Sequence, residues 1–281
     1  MRKKFIVDCR GYKLTLGEKT RVMGILNVTP DSFSDGGLFF DFKKAVRRGI
    51  EIEKEGADIL DIGGESTRPG SLGVSAPDQI KRVVPVIKAL KYKIKIPISI
   101  DTSDSDVARE AVLAGARIIN DITGLRKDKN IAAVAAEYKT GLCIMHIKGA
   151  PRNMQDAPRY KDLMKEACEW LNEGVRIARH AGVSDNRIII DPGIGFGKSL
   201  KHNLKILKNL SELKKINRPV LIGPSRKPFI GKLLDLPVNE RIMGTVAAVS
   251  ISIANGAHIV RAHDVKQIKQ AARIVDAILG A

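Results

Sequence analysis

Residues 24–37 read GILNVTPDSFSDGG: an apolar, β-rich run stops abruptly at Asn27 and gives way to small and hydroxyl residues. No folding rule asks for such a loop, so its residue types point to chemistry. The same punctuation recurs in DILDIGGESTRPG (58–70), IPISIDTS (96–103), RIINDITG (117–124), GLCIMHIKG (141–149), RIIIDPGIGFG (187–197), PVLIGPSRK (219–227) and HIVRAHD (258–264), which with the first makes eight runs. Strands covered on both faces read as continuous apolar runs rather than alternating ones, and these do.

Between the runs, residues 42–56, 77–91, 105–115, 130–138, 164–182, 200–215, 240–256 and 265–279 carry the helical period of 3.6. Asp41, Ser103, Ser199 and Asp264 stand where an N-cap acceptor belongs, and Gly56, Gly115, Gly182 and Gly256 stand where a helix ends in a left-handed residue. Eight strands alternating with helices predict a (β/α)8 (TIM) barrel, with residues 1–281 forming a single domain. A doubly wound open sheet is the rival, but it would place one glycine-rich phosphate turn after one strand rather than polar residues after all eight.

The chain carries 48 Lys and Arg against 31 Asp and Glu, a formal charge of +17. That charge is spread over nearly every helix, as on a solvated outer face. With 4% aromatic residues and no basic-aromatic ladder, a nucleic-acid platform is not supported. The apolar stretch of MRKKFIVDCR is too short for a signal-peptide core, and no stretch approaches the ~18 apolar residues of a membrane span. Cys9, Cys143 and Cys168 include no CxxC pair, which suggests neither a disulfide framework nor a zinc site and points to the reducing cytoplasm.

A barrel does its chemistry where its strands end. The residues gathered there are Asn27, Glu65 to Pro69, Asp101, Asn120, Asp121, His146, Asp191, Ser225 to Lys227, Arg261 and His263. No serine occupies a nucleophile elbow, and clustered transition-metal ligands are missing. Asp101, Asn120 and Asp191 offer acceptors suited to the N–H groups of a flat heterocycle. Arg68, Arg226, Lys227, Arg261 and His263 form a cationic half suited to an anionic or diphosphate leaving group, and Asn27 supplies a hard oxygen for Mg²⁺. Each residue has a structural alternative: Asp101 as a helix cap, Asn120 and Asp191 as turn residues, His146 as a barrel support, and Cys143 as a core residue. Arg152 and its PRNMQ segment either cover the site or form a solvated loop.

Over essentially its whole length the chain resembles the dihydropteroate synthases. GILNVTPDSFSDGG and DIGGESTRPG look like that family's signature segments, followed in the family's order by IDTS (100–103), INDITG (119–124), MHIKGAPRNMQ (145–155), DPGIGFGK (191–198), GPSRK (223–227) and RAHD (261–264). The resemblance implies a transferase of folate synthesis that condenses 6-hydroxymethyl-7,8-dihydropterin diphosphate with 4-aminobenzoate, assisted by Mg²⁺. By position, Asp101, Asn120, Asp191 and Lys227 would hold the pterin, and Asn27, Arg68, Arg261 and His263 the diphosphate, with Asn27 on the metal. Thr67, Arg68, Pro69 and Ser225 would receive 4-aminobenzoate, while Lys227, Arg261, His263 and Asp101 would carry the reaction. Arg261→Ala would then mainly weaken diphosphate binding.

The implied mechanism is a dissociative substitution, which needs no covalent nucleophile. Ile194 stands where the family usually has a phenylalanine, Pro224 and Pro228 flank SRK, and residues 103–106 replace a more usual lysine-containing stretch. A pterin-dependent methyltransferase and a catalytically silent pterin-binding barrel are the alternatives; neither needs a diphosphate clamp. The family resemblance and the apolar segment TVAAVSISIANG (245–256) suggest a homodimer.

Overall fold

A computed structural model describes residues 2–29, 37–65, 73–150 and 153–281. Its strands are β1 (Phe5–Cys9), β2 (Tyr12–Leu16), β3 (Arg21–Asn27), β4 (Ile59–Gly63), β5 (Ile98–Asp101), β6 (Ile118–Asp121), β7 (Gly141–Met145), β8 (Ile188–Asp191), β9 (Leu221–Ile222) and β10 (Ile259–Ala262). Its helices are α1 (Gly37–Lys54), α2 (Ala76–Leu90), α3 (Ser105–Ala114), α4 (Asn130–Glu137), α5 (Leu163–His180), α6 (Leu200–Lys208), α7 (Pro228–Leu234), α8 (Ile242–Ala254) and α9 (Val265–Gly280).

Strands β3 to β10 form one parallel sheet of eight in the order β8-β7-β6-β5-β4-β3-β10-β9. A parallel bridge between Ile190 and Val220 joins the ends of that order, so the sheet closes on itself as a barrel. Every residue of β4, β5, β6, β7 and β8 is buried, as strands between a filled interior and a helix layer must be.

The hairpin β1–β2 is an addition that the strand count does not anticipate. It pairs antiparallel from Phe5 opposite Leu16 to Cys9 opposite Tyr12. Val7, Cys9, Leu14 and Leu16 pack on Met23, Ile59, Ile118, Cys143, Ile189, Leu221 and Ile259, residues low on the barrel strands, and so plug the end opposite the strand C-termini. Cys143 is thus a core residue.

Local signals mostly act where expected. Ser199 caps α6 in a capping box with His202, and Gly56, Gly115, Gly182 and Gly256 all have positive φ. Asp41 lies inside α1 rather than before it. The cap of α3 is Asp104, one residue after Ser103, and its carboxylate accepts from Asp106 N at 3.0 Å and Val107 N at 3.2 Å. Asp104→Ala should cost about 0.5–2 kcal/mol, read as a lower urea midpoint with unchanged slope. Asp264 occupies the N-cap position of α9 without a capping bond. The 200–215 segment divides into α6 and a 3-10 helix over Leu210–Ile216.

Candidate active site

Strand register brings the polar strand ends to one level. Asn27 pairs with Gly63, Gly63 with Asp101, and Asp101 with Asn120, while Met145 pairs with Asp191. Because Asp104 caps α3, Asp101 is released from that duty; because Asp121 accepts from Thr123 N, Thr123 Oγ1 and Leu125 N, the turn after β6 does not need Asn120.

The centre of this level is an ion network. Arg261 on β10 donates through Nε to Asp61 Oδ2 at 2.6 Å and through Nη2 to Asp101 Oδ2 at 2.7 Å. Asn120 Nδ2 donates to the same Asp61 oxygen at 3.1 Å. Burial works against its charge, yet Asp61 and Asp101 hold Arg261 above the ordinary arginine range. Burial pushes the Asp101 carboxyl up, against the pull of Arg261. Arg261 is therefore a bridge between two buried carboxylates, and its loss reaches the fold as well as any anion.

Asp61 is the residue that listing strand ends misses. It sits mid-strand in β4, is fully buried, and its Oδ1 has no hydrogen-bond partner among the described residues. The signal was a carboxylate inside an apolar run, which only an inward-facing partner or ligand can satisfy.

Asp191 Oδ1 accepts from Gly193 N at 2.7 Å, so the turn function holds for one oxygen and leaves the other to the mouth. Burial raises this carboxyl to about 6, with the Gly193 bond, Lys227, Lys198 and Arg261 opposing. Gly193 is required: its φ is +68°, and a Cβ there would lie 2.0 Å from the His146 carbonyl oxygen. Ile194 is buried in the main apolar core, and it is Phe196 whose ring lies 4.2 Å from Lys227 Nζ.

Lys227 ends the segment after β9, directly before Pro228 at the first turn of α7, where a fixed φ suits the helix start. Burial and the neighbouring Arg261 lower its ammonium to about 8. Ser225 Oγ lies 3.0 Å from His263 Nδ1 and accepts from His263 N at 3.2 Å. Burial, Arg261 and Arg226 push the His263 imidazole down to about 3, so it meets an anion as a neutral donor rather than a cation. Arg226 leaves the cationic set: its guanidinium is forked onto Asp264 at 2.9 and 2.5 Å.

Glu65 braces its own segment, accepting from Val74 N and Gln79 Nε2. Thr67, Arg68, Pro69 and Arg152 lie outside the described residues. His146 plays the supporting part, with its Nδ1 2.8 Å from the Lys198 ammonium and its ring edge-on to Trp170. Burial and the cations Lys198 and Lys148 push it down to about 2.

A geometry of three strand-end acceptors beside half-buried cations has relatives. The pattern of the pterin binding enzyme family matches residues 23–263. The chain is 50% identical over 268 residues to the dihydropteroate synthase of Clostridium beijerinckii, covering 95% of this chain and 97% of that one. A solved dihydropteroate synthase of Xanthomonas albilineans with 4-aminobenzoic acid superposes with a TM-score of 0.92 at 41% identity, covering 99% of this chain and 100% of the other. Another structure of that organism's enzyme, in complex with 7,8-dihydropteroate, gives 0.88 at 38% identity, covering 98% and 99%. The chain belongs to the pterin binding enzymes and, among them, to the transferase family of the dihydropteroate synthases.

Proposed function

We propose that this chain condenses 6-hydroxymethyl-7,8-dihydropterin diphosphate with 4-aminobenzoate to give 7,8-dihydropteroate and diphosphate. The observation that carries the reading is one mouth divided between hydrogen-bond acceptors (Asp101, Asn120, Asp191) and cations (Lys227, Arg261). The acceptors suit the amino and ring N–H groups of the pterin, each charge-assisted bond contributing about 1.5–3 kcal/mol. Lys227, beside both Asp191 and the Phe196 ring, is assigned to the space between the two substrates. Thr67, Arg68, Pro69 and Ser225 are assigned to 4-aminobenzoate, and Asn27, Arg68, Arg261 and His263 to the diphosphate.

In the reaction the methylene carbon–oxygen bond breaks with both electrons passing to diphosphate. The electron-rich pterin and the buried carboxylates stabilise the resulting cation, the arylamine nitrogen attacks it, and that nitrogen then passes a proton to the released diphosphate or to water. Arg261 and Lys227 meet the charge that grows on the leaving group, and neutral His263 adds an N–H donor. The residues also fit Mg²⁺. A Cβ on Gly63 would lie 3.8 Å from Asn27 Oδ1 and 3.9 Å from Asp101 Oδ2, so two hard oxygens share one neighbourhood. Asn27 would hold the ion through its Oδ1. Bound there, Mg²⁺ would neutralise leaving-group charge.

A homodimer is supported by the apolar outer face around α7 and α8, where Leu233, Val238, Met243 and Ile251 are each more than half exposed. A cytoplasmic location is supported by three free cysteines; no helix among the described residues is long and apolar enough to cross a membrane.

The test is product formation by the purified chain with and without Mg²⁺, beside Lys227→Ala. Metal-dependent product is expected, and the variant should lose affinity for both substrates together, at least about tenfold in kcat/KM. Unchanged kinetics would remove Lys227 from the site. Pterin binding without product would favour a methyltransferase or a silent barrel.

A further inference from the structure

Lys198, seven residues beyond β8, is 2% exposed, and among the described residues its hydrogen bonds go to neutral acceptors rather than to a carboxylate. Its ammonium has three donors, and neutral acceptors take all three: His146 Nδ1 at 2.8 Å, Phe196 O at 2.9 Å and His146 O at 3.3 Å. A buried charge left without a counter-ion in contact is costly and is rarely kept for packing alone.

These bonds belong to a closed ring around Asp191. Asp191 Oδ1 accepts from Gly193 N, Gly193 O accepts from Phe196 N at 3.1 Å, and Phe196 O accepts from Lys198. Lys198 then meets His146, whose N donates to Asp191 O at 2.9 Å. The ammonium is thus the member of this ring that ties Phe196 O to His146, while Asn203 Oδ1 accepts from Gly195 N and Gln155 Nε2 and the Tyr160 hydroxyl donate to Gly195 O and Gly197 O.

We propose that Lys198 is a positioning residue for substrate binding, which fixes the loop holding Asp191 and whose charge favours the ionised carboxylate. The inference rests on Asp191 being the pterin acceptor. The charged and titratable groups facing Asp191 are Lys198 from its own loop, Lys227 from the segment after β9, Arg261 from β10, Cys143 from β7 and His146 from the residue just after β7. Across the mouth, Asp61 and Asp101 are engaged with Arg261. His146 is neutral, so Lys198, Lys227 and Arg261 supply the positive field. Burial lowers the Lys198 ammonium to about 7, against the pull of Asp191, which favours its charged form.

The pairing is tested by titrating 6-hydroxymethylpterin calorimetrically from about pH 5 to about pH 8 into the wild type, Lys198→Gln and Lys198→Met, with thermal unfolding recorded alongside. Glutamine keeps donors for the loop carbonyls and removes the charge, whereas methionine removes both. In both variants the acid-side midpoint of binding should move up by about one pH unit, and Lys198→Met should also lose affinity across the whole range. A folded Lys198→Gln with an unmoved midpoint would overturn the inference, as would failure of both variants to fold, which would assign the ammonium to folding alone. A wild type that does not bind the pterin would instead overturn the reading of Asp191 on which the inference stands.

Discussion

Arg261→Met is expected to lower the unfolding free energy by about 3–5 kcal/mol, beyond any effect on anion binding. The guanidinium is bonded to Asp61, whose side chain is 0% exposed, and to Asp101 at 8%. Methionine fills much of the volume but leaves both carboxylates in the barrel without their cation. The pH dependence has a definite sign. Burial already raises Asp101, and removing Arg261, which opposes that rise, lifts it further above its unfolded value. A carboxyl raised in the folded state lowers stability above its unfolded pKa, and protonation relieves the loss. The deficit should therefore be largest near about pH 8 and shrink towards about pH 5, as read by urea midpoints at both. A wild-type midpoint near pH 8 would mean that the network contributes nothing to folding.

Asp191→Asn is expected to keep the fold and weaken pterin binding by at least about 1.5 kcal/mol, roughly tenfold. An amide oxygen can still accept from Gly193 N, so the turn after β8 survives. The group facing the mouth then becomes an NH2, which opposes the ligand's own donors. The wild-type carboxyl sits at about 6 because burial raises it, so wild-type affinity should decline as pH falls through that value while the variant stays flat. Calorimetric titration with a pterin across that range checks both parts; equal affinity and equal pH response would exclude Asp191 from recognition.

The barrel was legible because its strands are continuous apolar runs that end in polar residues, a pattern set by burial on both faces. The hairpin was not, because YKLTL alternates and FIVDC follows a basic start, so neither resembles a barrel strand. The seven-residue α7 has too few turns to show a period. At the site, Asp101, Asn120 and Asp191 follow from position after a strand. Asp61 does not, because it sits within its run, and Lys198 does not, because a lysine after a glycine-rich loop reads as solvated until the fold buries it. Arg226 and Arg261 have similar sequence settings, and only the structure shows that one is drawn away by Asp264 and the other inward by two carboxylates.

The β1–β2 plug gives the barrel a single doorway. With the lower end filled by Val7, Cys9, Leu14 and Leu16, whatever lies deepest against Asp101, Asn120 and Asp191 must arrive before the molecule that covers it and depart after it. On the proposed reading, the pterin is first in and the finished product leaves as one piece by the same route. On that reading, a two-stranded cover some distance from the chemistry would set the order in which the two substrates enter.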